Sequence, residues 1–292
     1  MKRSAPLEHE AMRRHTSWRV GGPADLFYEP ASVEELRRVL AELPSGTPLL
    51  WLGLGSNLLV RDGGFRGAVI ATGNLPRELE RRDANRVRAG AGLPCALLAR
   101  QCVRWQLGPA AFFAGIPGTV GGALAMNAGA FGGETWTHVE SVATIDRTGA
   151  VRERPRAEFV VGYRSVRGAD GEWFLAATFA LQPDATTAAG LKQMLARRSA
   201  TQPLGVPSCG SVFRNPPGDH AGRLIEQAGL KGARIGGAVV SDKHANFIVN
   251  EGRATAADIE GLIGYVRARV EQTFGVRLEP EVRIVGEHGD PS

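Results

Sequence analysis

The sequence predicts a two-domain α+β protein, on three observations. The 292 residues correspond to about two domains at roughly 150 residues each. Strand-like apolar runs alternate with helical stretches over residues 1–200. At Thr201–Pro207 the texture changes: TQPLGVP carries two prolines and a glycine, and a fresh set of elements follows. The domains are read as 1–200 and 201–292.

Each element has a local reason. Ser32-Val-Glu-Glu35 is a capping box that opens a helix running to about Leu43, where Pro44 stops it. Pro48 to Leu54 reads as a buried strand, interrupted at Gly55-Ser-Asn57 and resumed at Leu58-Leu-Val60. Gly67–Thr72 is a further strand, and Arg86–Ala91 alternates weakly. A helix follows from about Pro94, a residue suited to a helix start, to Trp105. Val139–Asp146 and Ala150–Glu153 make a hairpin about Arg147-Thr-Gly149. Trp173–Leu181 is a strand and Thr186–Ser199 a helix. Beyond the boundary come a strand at Ser211–Phe213, a helix at about Ala221–Ala228, and strands near Ala233–Val240 and Asn246–Val249. The clearest helix is capped by Thr255 with Asp258 and ended by Gly275. Ile259, Leu262, Ile263, Val266, Val270 and Phe274 form its apolar face. A strand over Val276–Val285 closes the chain.

Composition excludes several classes. Hydrophobic residues make up 43% and charged residues 22%, a globular balance. The net charge of +5 is spread along the chain without a basic block, so nucleic acid is not the expected partner and an anionic small substrate is. Three cysteines (95, 102, 209) without a CxxC point to a reducing cytoplasm. The N-terminus has no apolar signal region. Trp105–Gly133 carries no charge, but its eight glycines and two prolines make a poor helix in lipid, so no membrane insertion is expected. The histidines show no metal-ligand spacing, and no metal is expected.

The glycines, 38 in all, cluster beside strands. In Gly53-Leu54-Gly55-Ser56-Asn57-Leu58 a leucine stands where a Rossmann fingerprint has its third glycine. The loop is either a tight turn or a row of N–H groups for a diphosphate. Gly115-Ile116-Pro117-Gly118-Thr119-Val120-Gly121-Gly122 runs on through Ala125 to Asn127 and Ala130. Small residues fill it, so backbone can approach something large and flat, or pack tightly against a sheet. Arg164, in Gly162-Tyr163-Arg164, is either a carboxylate clamp or a surface arginine. Ser211 lies in Ser208-Cys-Gly-Ser-Val-Phe-Arg-Asn-Pro216 without a nucleophile elbow, which leaves proton donation open. In an extended segment it shares a face with Cys209; Glu281 and Arg283 likewise share a face of the last strand.

Eight segments in order resemble the UDP-N-acetylenolpyruvoylglucosamine reductase family. They are HTSWRVGGPAD (15–25), LGLGSNLLV (52–60), AGIPGTVGGALAMNAGAFG (114–132), GYR (162–164), CGSVFRNP (209–216), AGRLIEQAGLKG (221–232), VSDKHANFIVN (240–250) and LEPEVRIVG (278–286). The resemblance implies an FAD-binding domain of the vanillyl-alcohol-oxidase (PCMH) type with two α+β lobes, divided near residue 72, then an α+β substrate domain. It implies that Gly53–Leu58 and the residues Gly115, Ile116, Pro117, Gly118, Thr119, Gly121, Gly122, Ala125 and Asn127 wrap non-covalent FAD. It carries the catalytic positions onto Arg164, Ser211 and Glu281, and substrate contacts onto Tyr163, Asn215 and Arg283. The short path from Leu181 to Ser208 is similar to the family form lacking a tyrosine-bearing loop.

The implied reaction is NADPH-dependent reduction of UDP-N-acetylglucosamine enolpyruvate to UDP-N-acetylmuramate for peptidoglycan. Arg164 stabilises the charge that develops on the substrate carboxylate and Ser211 protonates the adjacent carbon. Glu281 either orients the arginine or, if protonated, hydrogen-bonds the carboxylate. The rivals are a sugar or lactone oxidase of the same superfamily and a non-catalytic UDP-sugar-binding protein.

Overall fold

The computed structural model describes residues 5–289. The helices are α1 (Val33–Glu42), α2 (Cys95–Arg104), α3 (Val120–Met126), α4 (Ala188–Thr201), α5 (Ala221–Gln227) and α6 (Ala256–Phe274). Two compact units emerge: Met1–Leu7, Phe27–Leu54 and Val69–Arg198 in the first, and Glu8–Leu26, Gly55–Ala68 and Ser199–Ser292 in the second.

The first unit is built on an antiparallel sheet in the order Val151–Pro155, Val139–Asp146, Glu172–Ala180, Arg86–Gly90, Leu79–Arg81. Strand alternation sorts its two faces. Val87, Ala89, Val142, Ala177 and Phe179 point into a core closed by Leu98, Ala99 and Cys102 of α2 and by Val120, Ala123 and Leu124 of α3. Burial in that core pushes the Cys95 and Cys102 thiols up to about 12. The other face carries ion pairs: Arg88 lies 3.1 Å from Glu78 and 2.9 Å from Glu153, and Arg86 2.7 Å from Glu140. Glu172 receives Arg154, the Thr144 hydroxyl and Arg152 (3.0 Å), which in that order hold its carboxyl down at about 2.

The cap predicted at Ser32 forms, with Ser32 Oγ accepting from Glu35 N at 3.1 Å; the reciprocal Glu35 bond reaches Ala31 N rather than Ser32 N. α3 was not predicted. Its glycines are poor helix formers, but Thr119 caps it, Asn127 ends it in the left-handed region (φ 47°), and its apolar side is buried. The strands Leu7–Ala11 and Pro23–Tyr28 were also not predicted.

In the second unit α6 is the hub. Thr255 and Asp258 form the reciprocal capping box (3.0 and 2.9 Å) and Gly275 closes the helix at φ 67°. Asp62 adds a second cap, accepting from Ala256 N and Ala257 N. The apolar face is buried from Ile259 to Val270, but Phe274 is 37% exposed, so the core stops one turn early. The strand expected over 233–240 is instead a hairpin, Arg234–Ile235 with Ala238–Val240. Gly236 (φ 51°) makes the turn, and any Cβ there would meet the Asp258 carboxylate. The closing strand expected over 276–285 is regular only at Arg283–Val285, where it pairs parallel with Leu58–Val60. Ser211–Phe213 forms a single bridge, Phe213 to Pro280, not a strand.

Candidate functional site

In the first unit Gly53 packs against Thr119 of the second glycine-rich segment. A Cβ on Gly53 would stand 2.6 Å from Thr119 Oγ1, the atom that caps α3. Gly115 and Gly121 are equally constrained, by Ala130, Phe131 and Arg198 and by Ala91. Gly122 differs. A Cβ there would touch only Thr119 Oγ1, at 3.8 Å. With Ala125 and Pro117 exposed and Gly118 half-buried beside it, the outer side of α3 carries almost no side chain, and Ile116 is buried behind it.

The N-terminus of α3 has no donor left for a ligand. Val120 N bonds Leu93 O (2.9 Å), Gly121 N bonds Ala91 O (2.9 Å), and Gly122 N bonds Thr119 Oγ1 (3.4 Å). In the loop from Gly53 to Ser56 none of the N–H groups donates to a protein acceptor among the described residues. Gly55 there takes φ 61°, the left-handed turn that gathers successive N–H groups into an anion nest. Each feature by itself suits part of FAD: the nearly bare side of α3 a flat ring, and the row of open donors a diphosphate.

Asn127 braces the fold at the end of α3. It is 1% exposed. Its Nδ2 donates to Glu134 Oε2 (2.9 Å) and to Gly162 O (3.0 Å), while its Oδ1 accepts from Trp136 N (3.1 Å). It ties the end of α3 to the hairpin Val160–Gly162 and Ser165–Arg167, whose tip is Tyr163-Arg164. Arg164 takes φ 51°, a strained setting for arginine. Its guanidinium donates back to Asn127 O and Gly129 O, both at 3.1 Å, and lies 5.0 Å from the exposed Tyr163 ring.

In the second unit, Asn57 Nδ2 donates to Glu281 O (3.0 Å) and Asn57 O accepts from Arg283 N (3.1 Å). Leu58 is buried in the pairing with Arg283. Val212 O accepts from Glu281 N at 2.7 Å, so the Ser211 and Glu281 segments run side by side. Asn215 Oδ1 accepts from Ala221 N at the start of α5, and Arg283 is exposed.

Cys209 and Ser211 do not share a face, contrary to the reading as an extended strand. Gly210 at φ 82° turns the chain between them. Cys209 is 4% exposed in the core, whereas Ser211 is half-buried. Burial, then the Glu281 charge, pushes the Cys209 thiol well up, making it a poor proton donor.

Sequence reasoning missed Asn246. Its side chain brackets Phe213, accepting from Phe213 N (3.0 Å) and donating to Phe213 O (2.8 Å). The available signal was an asparagine inside the apolar run Ala245–Val249.

Residues 202–285 match the family model for the UDP-N-acetylenolpyruvoylglucosamine reductase C-terminal domain, and residues 24–154 that of an FAD binding domain. A UDP-N-acetylenolpyruvoylglucosamine reductase of Methylococcus capsulatus is 60% identical, covering 96% of this chain and 93% of its own. That of Alkalilimnicola ehrlichii is 58% identical, covering 96% and 95%. The crystal structure of the reductase from Thermus caldophilus superposes with a TM-score of 0.80 at 34% identity, covering 94% of this chain and 97% of that one.

Proposed function

The chain belongs to the UDP-N-acetylenolpyruvoylglucosamine reductase family, and from that premise we propose which of its residues perform the reaction. The protein is an FAD-dependent oxidoreductase that uses NADPH to convert UDP-N-acetylglucosamine enolpyruvate to UDP-N-acetylmuramate in peptidoglycan synthesis. Its fold is the α+β one expected, a PCMH-type flavin domain with a substrate domain. We place it in the cytoplasm, with which three free cysteines agree; no helix among the described residues is long and apolar enough to cross a membrane.

The open N–H groups of Gly53–Ser56 would hold the FAD diphosphate, and the outer side of α3 about Gly122 and Ala125 would back the ring. The chemistry that bound FAD would supply is hydride transfer, from NADPH to the enolpyruvyl double bond. Arg164 stabilises negative charge on the substrate carboxylate through charge-assisted hydrogen bonds. Ser211 delivers the proton to the carbon next to that carboxylate. Glu281, with its backbone fixed by Asn57 and Val212, presents its carboxyl group to the substrate. Tyr163, Asn215 and Arg283 contact the rest of the substrate.

The observation that carries this reading is the anchoring of Arg164. Its guanidinium is held by the carbonyls of Asn127 and Gly129, at the end of the helix assigned to the ring. Stopped-flow resolution of the two half-reactions tests it. Arg164→Lys keeps the charge and loses the fork; Ser211→Ala removes the proton. Both are expected to leave flavin reduction by NADPH within a few fold and to slow reoxidation by the enolpyruvyl substrate about 10²-fold or more. Equal damage to both half-reactions refutes the assignment.

A further inference from the structure

Ser211 sits in a bulge. On one side of it Asn250 N donates to Pro207 O at 2.9 Å, and Ser208 bridges Val249. On the other side Val212 N donates to Asn246 O at 2.9 Å. From Ser208 to Val212 the chain advances four residues, while its partner advances three, from Val249 to Asn246. One residue is extra, and Gly210 at φ 82° absorbs it. A bulge of this kind re-aims the side chain next to it.

The downstream shoulder of the bulge is where Asn246 acts. It is 3% exposed. Both ends of its carboxamide are spent on the backbone of one residue, Phe213, two positions after Ser211. Its own N–H donates to His244 Nδ1 at 3.2 Å, which fixes it from behind. The two residues it holds, Val212 and Phe213, also connect to the segment of Glu281, through Val212 O to Glu281 N (2.7 Å) and through the Phe213–Pro280 bridge.

We propose that Asn246 is a positioning residue for the oxidative half-reaction: its carboxamide clamps the shoulder of the bulge that presents Ser211. This rests on the reading of Ser211 as proton donor. Without the clamp, two of the bonds that hold Phe213 are lost and Ser211 gains freedom to drift. A displacement of about 1 Å at a reacting group can cost 10²-fold in rate.

The test compares Asn246→Ala, Ser211→Ala and the double variant as FAD holoenzymes, in each half-reaction and in H2O and D2O. For Asn246→Ala the expected result is reoxidation by UDP-N-acetylglucosamine enolpyruvate slowed about 10–100-fold, with an enlarged solvent isotope effect and NADPH reduction within twofold. A residue acting through Ser211 has little left to lose once the hydroxyl is gone, so the double variant is expected to resemble Ser211→Ala. Reoxidation within twofold of the parent, equal slowing of both half-reactions, or multiplicative losses in the double variant overturns the proposal. If Ser211→Ala alone leaves reoxidation intact, the donor assignment fails and the proposal falls with it, a result distinct from a silent Asn246→Ala. Should Asn246→Ala not fold, Asn246→Asp, which retains an acceptor for Phe213 N, is read by the same criteria. Hydrogen exchange in the parent holoenzyme gives an independent reading. Amides of Val212 and Phe213 are expected to be as protected as those of α6, and exchange as fast as the exposed Pro217–Gly218 turn overturns the clamp.

Discussion

Replacing Gly122 with alanine is expected to move protein stability and cofactor affinity in opposite directions. Gly122 lies inside α3, where alanine is better than glycine by about 0.5–1 kcal/mol because less backbone freedom is lost on folding. The new Cβ has room, since its nearest neighbour would be Thr119 Oγ1 at 3.8 Å. The apoprotein is therefore expected to gain stability, worth about 1–4 °C in Tm at roughly 2–4 °C per kcal/mol. In the holoenzyme the same methyl stands on the face assigned to the flavin ring. Overfilling a packed site costs typically 1–3 kcal/mol, which corresponds to a loss of affinity between about fivefold and 150-fold. Thermal melts of flavin-stripped protein and FAD titrations followed by flavin fluorescence measure the two terms separately. Gly53→Ala is the control of opposite character. Its Cβ meets Thr119 Oγ1 at 2.6 Å, so it must displace the cap of α3 and lower apoprotein stability by about 0.5–2 kcal/mol. If Gly122→Ala binds FAD as tightly as the parent, the outer side of α3 is not the flavin wall and the site has been drawn in the wrong place.

Two further outcomes follow from the charges and thiols. Glu172, held at about 2 chiefly by Arg154, has a depressed folded-state pKa. Its contribution is present above about pH 4.5 and fades as pH falls toward 2. Glu172→Gln is expected to cost roughly 1.5–3 kcal/mol at pH 7 and progressively less below pH 4.5, in urea melts against pH; a constant gap at all pH values contradicts this. Cys209→Ala is expected to lower stability by about 1 kcal/mol through the lost core atom and to leave reoxidation within twofold. The native thiol is expected to resist a thiol reagent until the protein unfolds, and rapid labelling of folded enzyme contradicts the burial.

Recognition of the family was legible because its motifs are contiguous stretches of sequence. The internal bonds that individual residues make within them were less so. Asn127 and Asn57 both stand in glycine-rich segments and read there as ligand contacts. In the structure the first holds the hairpin of Arg164 and the second the backbone of Glu281 and Arg283. Strand alternation would set Cys209 and Ser211 on one face, but Gly210 at φ 82° turns the chain between them.

What the sequence determined by itself was whatever closes over a few residues. Thr255 finds Asp258 three positions away, Ser32 finds Glu35, and Gly275 supplies the left-handed end of α6 without outside help. Hydrophobic spacing likewise marked the buried side of α6 up to Val270. Only the tertiary structure decided which glycines serve packing and which leave a face open, because Gly53 and Gly122 differ in what stands opposite them and not in themselves. The same holds for the buried asparagines. A carboxamide can donate and accept in many directions, and its partners lie 33 residues away for Asn246 and 224 for Asn57. Such pairs form when the chain has folded, since the loop that joins them must close before the bond exists to repay it.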